Sequence, residues 1–159
     1  MWRDTPNGYQ PSLRHRLSGR DRPARARSLE AWRQELVADL AILLQTTAGG
    51  TVPAGSMAAG SVLGYGLPAF AGMAVTDNTI LAVQGALQAA LETFEPRIVP
   101  GTIRVRFDGP ANDQPAGQMA FTVECTVEAV PARLQVTLNT IVDFTAGTVG
   151  NIPQDQRHR

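Results

Sequence analysis

"DNTILAVQGALQAALETFEPRIVPGTIRVRFD", residues 77–108, changes its hydrophobic period once, and that change decides the fold. Up to Glu95 the apolar residues Ile80, Val83, Leu87, Ala90, Leu91 and Phe94 recur at three- and four-residue steps. This is one face of a helix that Thr76 or Asp77 can cap. After Pro100 the period becomes two, and Ile103, Val105 and Phe107 alternate with Arg104 and Arg106, as in a strand with one buried face. Between the two patterns stands Glu95-Pro96-Arg97. An acid in the last helical turn meets the negative end of the helix dipole, where a base is favoured. Proline then stops the helix, because the residue before it resists the α conformation. The triplet reads either as a helix stop with a local surface ion pair, worth at most about 1 kcal/mol, or as a rigid recognition knuckle. In the second reading proline fixes an acceptor and a planar donor fork in one relative geometry.

Upstream, Ser28 is a plausible cap for a helix running through "LEAWRQELVADLAILLQ". Leu29, Trp32, Leu36, Leu40 and Leu43 form its apolar stripe, and Arg33, Gln34 and Asp39 fall on the opposite face. A shorter helix is possible at "PSLRHRL", 11–17. Downstream, "QMAFTVECTVEA" (118–129) places Met119, Phe121, Val123, Cys125 and Val127 on one face and Thr122, Glu124, Thr126 and Glu128 on the other. "LQVTLNTIVDF" (134–144) continues the alternation, so "TIRVRFD" (102–108) and these two runs predict a three-stranded meander. Helices first and strands after make an α+β domain, with N-terminal helices and one long central helix packed on a small antiparallel meander. The expected divisions are a basic, partly disordered arm at 1–27, a single domain at 28–150 and a polar tail at 151–159. The Gly/Pro-rich stretch 47–75 cannot be one regular element, but Val62, Leu63, Tyr65, Leu67 and Phe70 predict that part of it packs on the core.

The formal charge is zero, yet residues 1–35 hold eight arginines against four acids and the remainder six against ten. A net +4 over 35 residues is modest, and an arm that docks on a protein partner is preferred to one that binds nucleic acid. All fourteen basic residues are arginine, which suits GC-rich coding and carries no function by itself. Cys125 is the only cysteine, which excludes an intrachain disulfide. The first thirty residues lack the apolar run of a secretory signal. Asp39 to Asp77 encloses no charge, but seven glycines and two prolines in 47–72 argue against a spanning helix. A cytoplasmic protein without stable membrane insertion is expected.

The search for chemistry returns little. No phosphate-loop pattern is present. His15 and His158, both near the chain ends, have no ligand spacing around them, and Cys125 lies on the apolar side of its strand, as a core residue does. No catalytic residue, metal or cofactor is expected. Glu95 with Glu92 or Asp108 could be a glycosidase pair. However, the neighbouring Arg97 favours the ionised carboxylate, the wrong form for a general acid. A peptidoglycan-cleaving muramidase is the enzymatic alternative.

Four segments in this order, "PSLRHRL" (11–17), "SVLGYGLPAFAG" (61–72), "ALETFEPRI" (90–98) and "LNTIVDFTAGTV" (138–149), resemble the TssE family of type VI secretion baseplate subunits. That family is one of lysozyme-like wedge proteins of contractile phage baseplates. The resemblance implies a structural, non-enzymatic role in a cytoplasmic baseplate docked at the inner membrane. It implies wedge partners like TssF and TssG, and a small sheet, similar to the handshake region of sheath subunits, that receives sheath strands by strand addition. It implies partner binding for Glu95, Pro96 and Arg97. Family members usually carry asparagine at the position of Gly64, aspartate at that of Ala69 and arginine near Thr47. A wedge protein of a phage-tail-like particle is the other structural alternative.

Overall fold

The computed structural model describes residues 28–50, 52–53, 55–111, 116–129 and 132–152. The arm at 1–27 with its short helix at 11–17, the turn at Pro131, and His158 lie outside the described residues. Helix α1 spans Leu29–Gln45 and helix α2 spans Asp77–Phe94. Four strands follow: β1 (Arg104–Pro110), β2 (Gln118–Ala129), β3 (Ala132–Asp143) and β4 (Thr148–Ile152). They form one antiparallel sheet in the order β1-β2-β3-β4, so the domain is α+β.

Both helices start where their caps predict. The Ser28 hydroxyl accepts from the Ala31 amide, and the Thr76 hydroxyl accepts from the Thr79 amide, each pairing an amide that has no partner in the first turn. On α1 the buried set is Trp32, Glu35, Leu36, Leu40, Leu43 and Leu44. Leu29, expected in this stripe, is exposed, because it opens the helix before the core is reached.

One hydrophobic cluster joins Leu36, Leu40, Val83, Leu87 and Leu91 of the helices with Phe121, Val123, Val127, Val136, Leu138 and Val142 of the sheet. Burying each such side chain contributes roughly 1.5–3 kcal/mol. Helix α1 lies beside β4 and α2 beside β1. On the other face of the sheet, Thr122 of β2 and Asn139 of β3 are buried although alternation assigns Thr122 to the polar side; the Thr122 hydroxyl donates to Asn139 Oδ1 at 3.3 Å.

Two strand expectations are corrected. β1 begins at Arg104 rather than Thr102, because the Thr102 hydroxyl is engaged with Val99 and Thr126 and holds the chain in a turn. The meander has a fourth strand, β4, absent from the three-strand reading. Its turn is set by Asp143, whose carboxylate accepts from the Thr145 and Ala146 amides at 2.8 and 2.9 Å.

The stretch before α2 is partly packed, as expected, but not through all the residues named. Leu67 and Phe70 are buried and Tyr65 meets Phe94 edge-on at 5.3 Å. Val62 and Leu63, on the second of two short 3-10 turns (Met57–Gly60 and Val62–Gly64), point outward instead, 90% and 67% exposed.

Candidate functional site

Helix α2 ends at Phe94 and is capped by Glu95, whose amide still reaches the Leu91 carbonyl at 3.1 Å. Its own backbone has left the helix (φ −118°, ψ 88°), as the following proline requires. The chain turns through Pro96, with the Ile98 amide on the Glu95 carbonyl at 3.2 Å. It then runs beside β2: the Glu128 amide donates to the Arg97 carbonyl and the Val99 amide to the Thr126 carbonyl, both at 2.8 Å. The knuckle thus covers the part of β2 that β1 leaves unpaired, and Ile98 fixes it by burial opposite Val127.

The side chains close the geometry. Arg97 Nε donates to Glu95 Oε1 and Nη2 to Glu95 Oε2, each at 2.7 Å, and the Arg97 amide donates to Oε1 at 3.1 Å. This is the two-pronged pairing that a planar guanidinium makes with a carboxylate. Nη2 also donates to Asp39 Oδ2 of α1 at 3.3 Å. Glu95 is 7% exposed, Asp39 20% and Arg97 27%. Burial opposes the guanidinium charge, but the hydrogen bonds and charges of Glu95 and Asp39 outweigh it, and the Arg97 pKa is raised.

Both simple readings of the triplet are therefore incomplete. The pair is too buried to be a surface contact, and the carboxylate is not displayed. Glu95 is the base on which Arg97 is mounted, and of the pair it is the arginine that keeps contact with water.

The other carboxylates considered with Glu95 do not join it. Glu92 is exposed and accepts from Gln88 at 2.9 Å. Asp108 belongs to a separate network with Arg106 and the Thr122 hydroxyl. Cys125 sits beneath the knuckle, where burial, and secondarily the Glu95 charge, pushes its thiol up to about 11, consistent with a core residue. Among the described residues no group of three His, Cys, Asp or Glu side chains is placed to hold a metal. Asp39 is the member that sequence reasoning missed: its helical position opposes the apolar stripe, and a contact across 58 residues leaves no trace in spacing.

Comparison with known proteins adds one match. The family model for baseplate wedge protein gp25 matches residues 30–132, from the first turn of α1 to the start of β3. The match contains two of the four segments that carried the resemblance, 61–72 and 90–98, and ends before the last. No curated protein and no solved structure matches the chain. At Gly64, where the resemblance implies an asparagine, an added Cβ would stand 2.2 Å from the Ala59 carbonyl oxygen, so a side chain does not fit this turn. With well over half its length matched, by the family model of the wedge proteins to which TssE belongs, the chain belongs to the baseplate wedge protein gp25 family.

Proposed function

We propose that this protein is a structural subunit of the baseplate of a contractile injection machine of the type VI secretion kind. It joins wedge partners like TssF and TssG through Glu95, Pro96 and Arg97, and helps to start the sheath by accepting a strand on its sheet. The observation that carries the reading is Arg97. In a chain of the wedge family, an arginine is fixed by Glu95 and Asp39 while its side chain stays 27% exposed. Such a mount costs a buried carboxylate and offers no stability that an apolar pair could not supply. A partner that reads the fork gives it a purpose.

The two sheet edges differ in what they offer an added strand. On β1 the Gln84 side chain donates to the Val105 carbonyl at 2.9 Å, the register breaks between Phe107 and Gly109, and Pro110 ends the strand. These are features that block edge pairing. β4 has no such guard among its described residues, and it is the edge assigned here to the sheath strand.

The role is non-enzymatic. Both Glu95 oxygens accept from Arg97 and the side chain is buried, so the carboxylate is not presented to a sugar. Residues 28–152 hold five arginines against eleven acids, a net −6 that repels nucleic acid. Among the described residues no helix is long and apolar enough to cross a membrane, and the place of action is the cytoplasmic baseplate.

The test is co-expression with TssF- and TssG-like partners, followed by affinity purification and size-exclusion chromatography. Wild type is run beside Arg97→Lys, which keeps the charge and one contact to Glu95 but lacks the fork. Wild type is expected to co-elute and the folded variant to be lost from the complex. A wild-type protein that elutes alone, or a variant that co-elutes equally well, overturns the reading.

A further inference from the structure

Met57, Val62 and Leu63 stand on the two 3-10 turns before α2 and are 100%, 90% and 67% exposed. We propose that these three side chains form an apolar plug that fills an uncharged, apolar pocket on the protein partner that Arg97 meets. The plug gives the contact its affinity and Arg97 gives it orientation. This inference rests on the reading of the chain as a wedge subunit with TssF- and TssG-like partners.

The exposure is built into the turns. The Ser61 hydroxyl donates to the Ala58 carbonyl at 2.7 Å and accepts from the Leu63 amide at 3.3 Å, so one side chain ties the first turn to the second. The Gly64 amide donates to the Ser61 carbonyl at 3.0 Å, and Gly64 lies too close to Ala59 for any side chain. Val62 and Leu63 thus project from a closed pair of turns, whereas Leu67 and Phe70, a few residues on, are buried. A single exposed apolar residue needs no explanation, but three held together in water mark a contact surface. Fixing them before docking lowers the ordering entropy that docking must overcome.

The plug belongs to the same end of α2 as the knuckle. Tyr65 closes the second turn, with its amide on the Val62 carbonyl at 3.3 Å, and its ring meets Phe94 edge-on at 5.3 Å. Phe94 is the last residue of α2 and directly precedes Glu95. A partner seated on Arg97 therefore approaches this end of the molecule. One guanidinium contact exchanges water for another acceptor and gains little net affinity, whereas buried apolar anchors are what a tight contact is built on.

The chemistry of the turns selects the occupant. The connector holds no charge from Leu40 to Thr76, so a charged pocket would be desolvated without a counterpart. A lipid surface is a poor match, because interfacial anchors set Lys, Arg, Trp or Tyr beside their apolar residues. Here Tyr65 packs on Phe94 and Phe70 is buried, and the net −6 of residues 28–152 is repelled by an anionic leaflet. A second copy of the chain is a poor match as well. Three side chains offer on the order of 300 Å² of apolar surface, against about 800 Å² per partner in a stable interface. The plug is an anchor within a wider protein contact.

The experiment measures the affinity of the full-length protein for the co-purified complex of its TssF- and TssG-like partners, at low and at high salt. The proteins are wild type, the double variant Val62→Ser with Leu63→Ser, Met57→Ser and Arg97→Lys, each checked by its thermal transition. Pelleting with vesicles of mixed neutral and anionic phospholipid, and size-exclusion chromatography of the protein alone, accompany it. The double variant is expected to keep its thermal transition and to weaken binding at least about thirtyfold. The factor is the same at both salts, because apolar burial is not screened. Met57→Ser is expected to weaken binding about fivefold, and wild type is expected neither to pellet nor to self-associate.

If wild type binds the complex and the double variant binds equally well while Arg97→Lys fails, the plug has no part in the contact, and the proposed function stands without it. A wild type that does not bind overturns the proposed function and this inference with it. Pelleting of wild type that the double variant loses assigns the plug to lipid, and a wild-type dimer that the double variant dissolves assigns it to a second copy; each overturns the inference. Should the double variant lose its thermal transition, Met57→Ser, at a fully exposed side chain, decides alone.

Discussion

The connector that leads into α2 contains no charged residue from Leu40 to Thr76, whereas the connector that leaves α2 is held by Arg97 in contact with two carboxylates, Glu95 and Asp39. The first is held by its main chain. The Ala48 amide reaches the Leu67 carbonyl and the Leu67 amide the Thr46 carbonyl, both at 2.8 Å. Gly66 makes this approach possible: at φ +114° an added Cβ would lie 2.3 Å from the Thr46 carbonyl oxygen. The second connector also has main-chain bonds, from Arg97 and Val99 to β2. Over them it places an ion pair with one member buried and one half-exposed. The difference teaches that close approach of backbones suffices to bring a chain back to the core. The Glu95–Arg97–Asp39 cluster does more than that task needs, which is why a partner contact is sought there.

If the first connector depends on space, Gly66→Ala has the largest effect. The new methyl meets a backbone atom that cannot rotate away, in a conformation that side chains rarely adopt. A loss of about 3 kcal/mol in chemical denaturation is expected from overpacking and backbone strain together. An unchanged midpoint would mean that Thr46 and Leu67 are not held together as described, and the contrast between the connectors would fall.

If the second connector depends on charge, its two partners should differ. Arg97→Ala leaves the Glu95 carboxylate buried with only the Arg97-position amide to meet it, at an expected cost of about 2–3 kcal/mol. Glu95→Ala leaves an arginine that is already 27% exposed, whose long stem can carry the charge into water while Asp39 remains within reach. A smaller loss, about 1–2 kcal/mol, is expected. Parallel urea titrations measure both. The reverse order would show that the knuckle is organised around the arginine and not around the buried acid.

How much of this was legible depends on how far each signal reaches. α1, α2 and β2 follow from caps and local period, and Ser28, Thr76 and the proline stop at Glu95 mark their ends within a residue. β4 was not legible. "TVGNI" is only five residues long and has Gly150 and Asn151, both disfavoured in strands, at its middle, so its conformation comes from pairing with Asn139–Asp143 more than from its own propensity. Val62 and Leu63 are apolar, as core residues are, but the tight 3-10 turns around Gly64 set their direction outward. In the site, the Glu95–Arg97 pair was visible because both ends lie on one turn. Asp39 was invisible because only the packing of α1 against the knuckle brings it there. Local chemistry is written in the chain, and the third partner is written in the fold.

Cys125 gives the finest reading of the same contrast, because it views the knuckle from below. Burial is the larger cause of its raised pKa and the Glu95 charge the smaller. With a value of about 11, only about one thiol in a thousand is thiolate at pH 8, and the thiolate is the reactive form. The folded protein should react very slowly with a disulfide-exchange reagent at pH 8 and rapidly in urea. Glu95→Ala removes the smaller cause and leaves burial in place, so the rate should rise only slightly and keep its steep increase toward high pH. That outcome would mean that the Arg97 and Val99 bonds to β2 keep the knuckle shut without the ion pair, so the charges serve to orient Arg97 rather than to close the core. A variant thiol as reactive as the unfolded one would mean instead that the ion pair is the latch, and the orienting role of Glu95 could no longer be separated from stability.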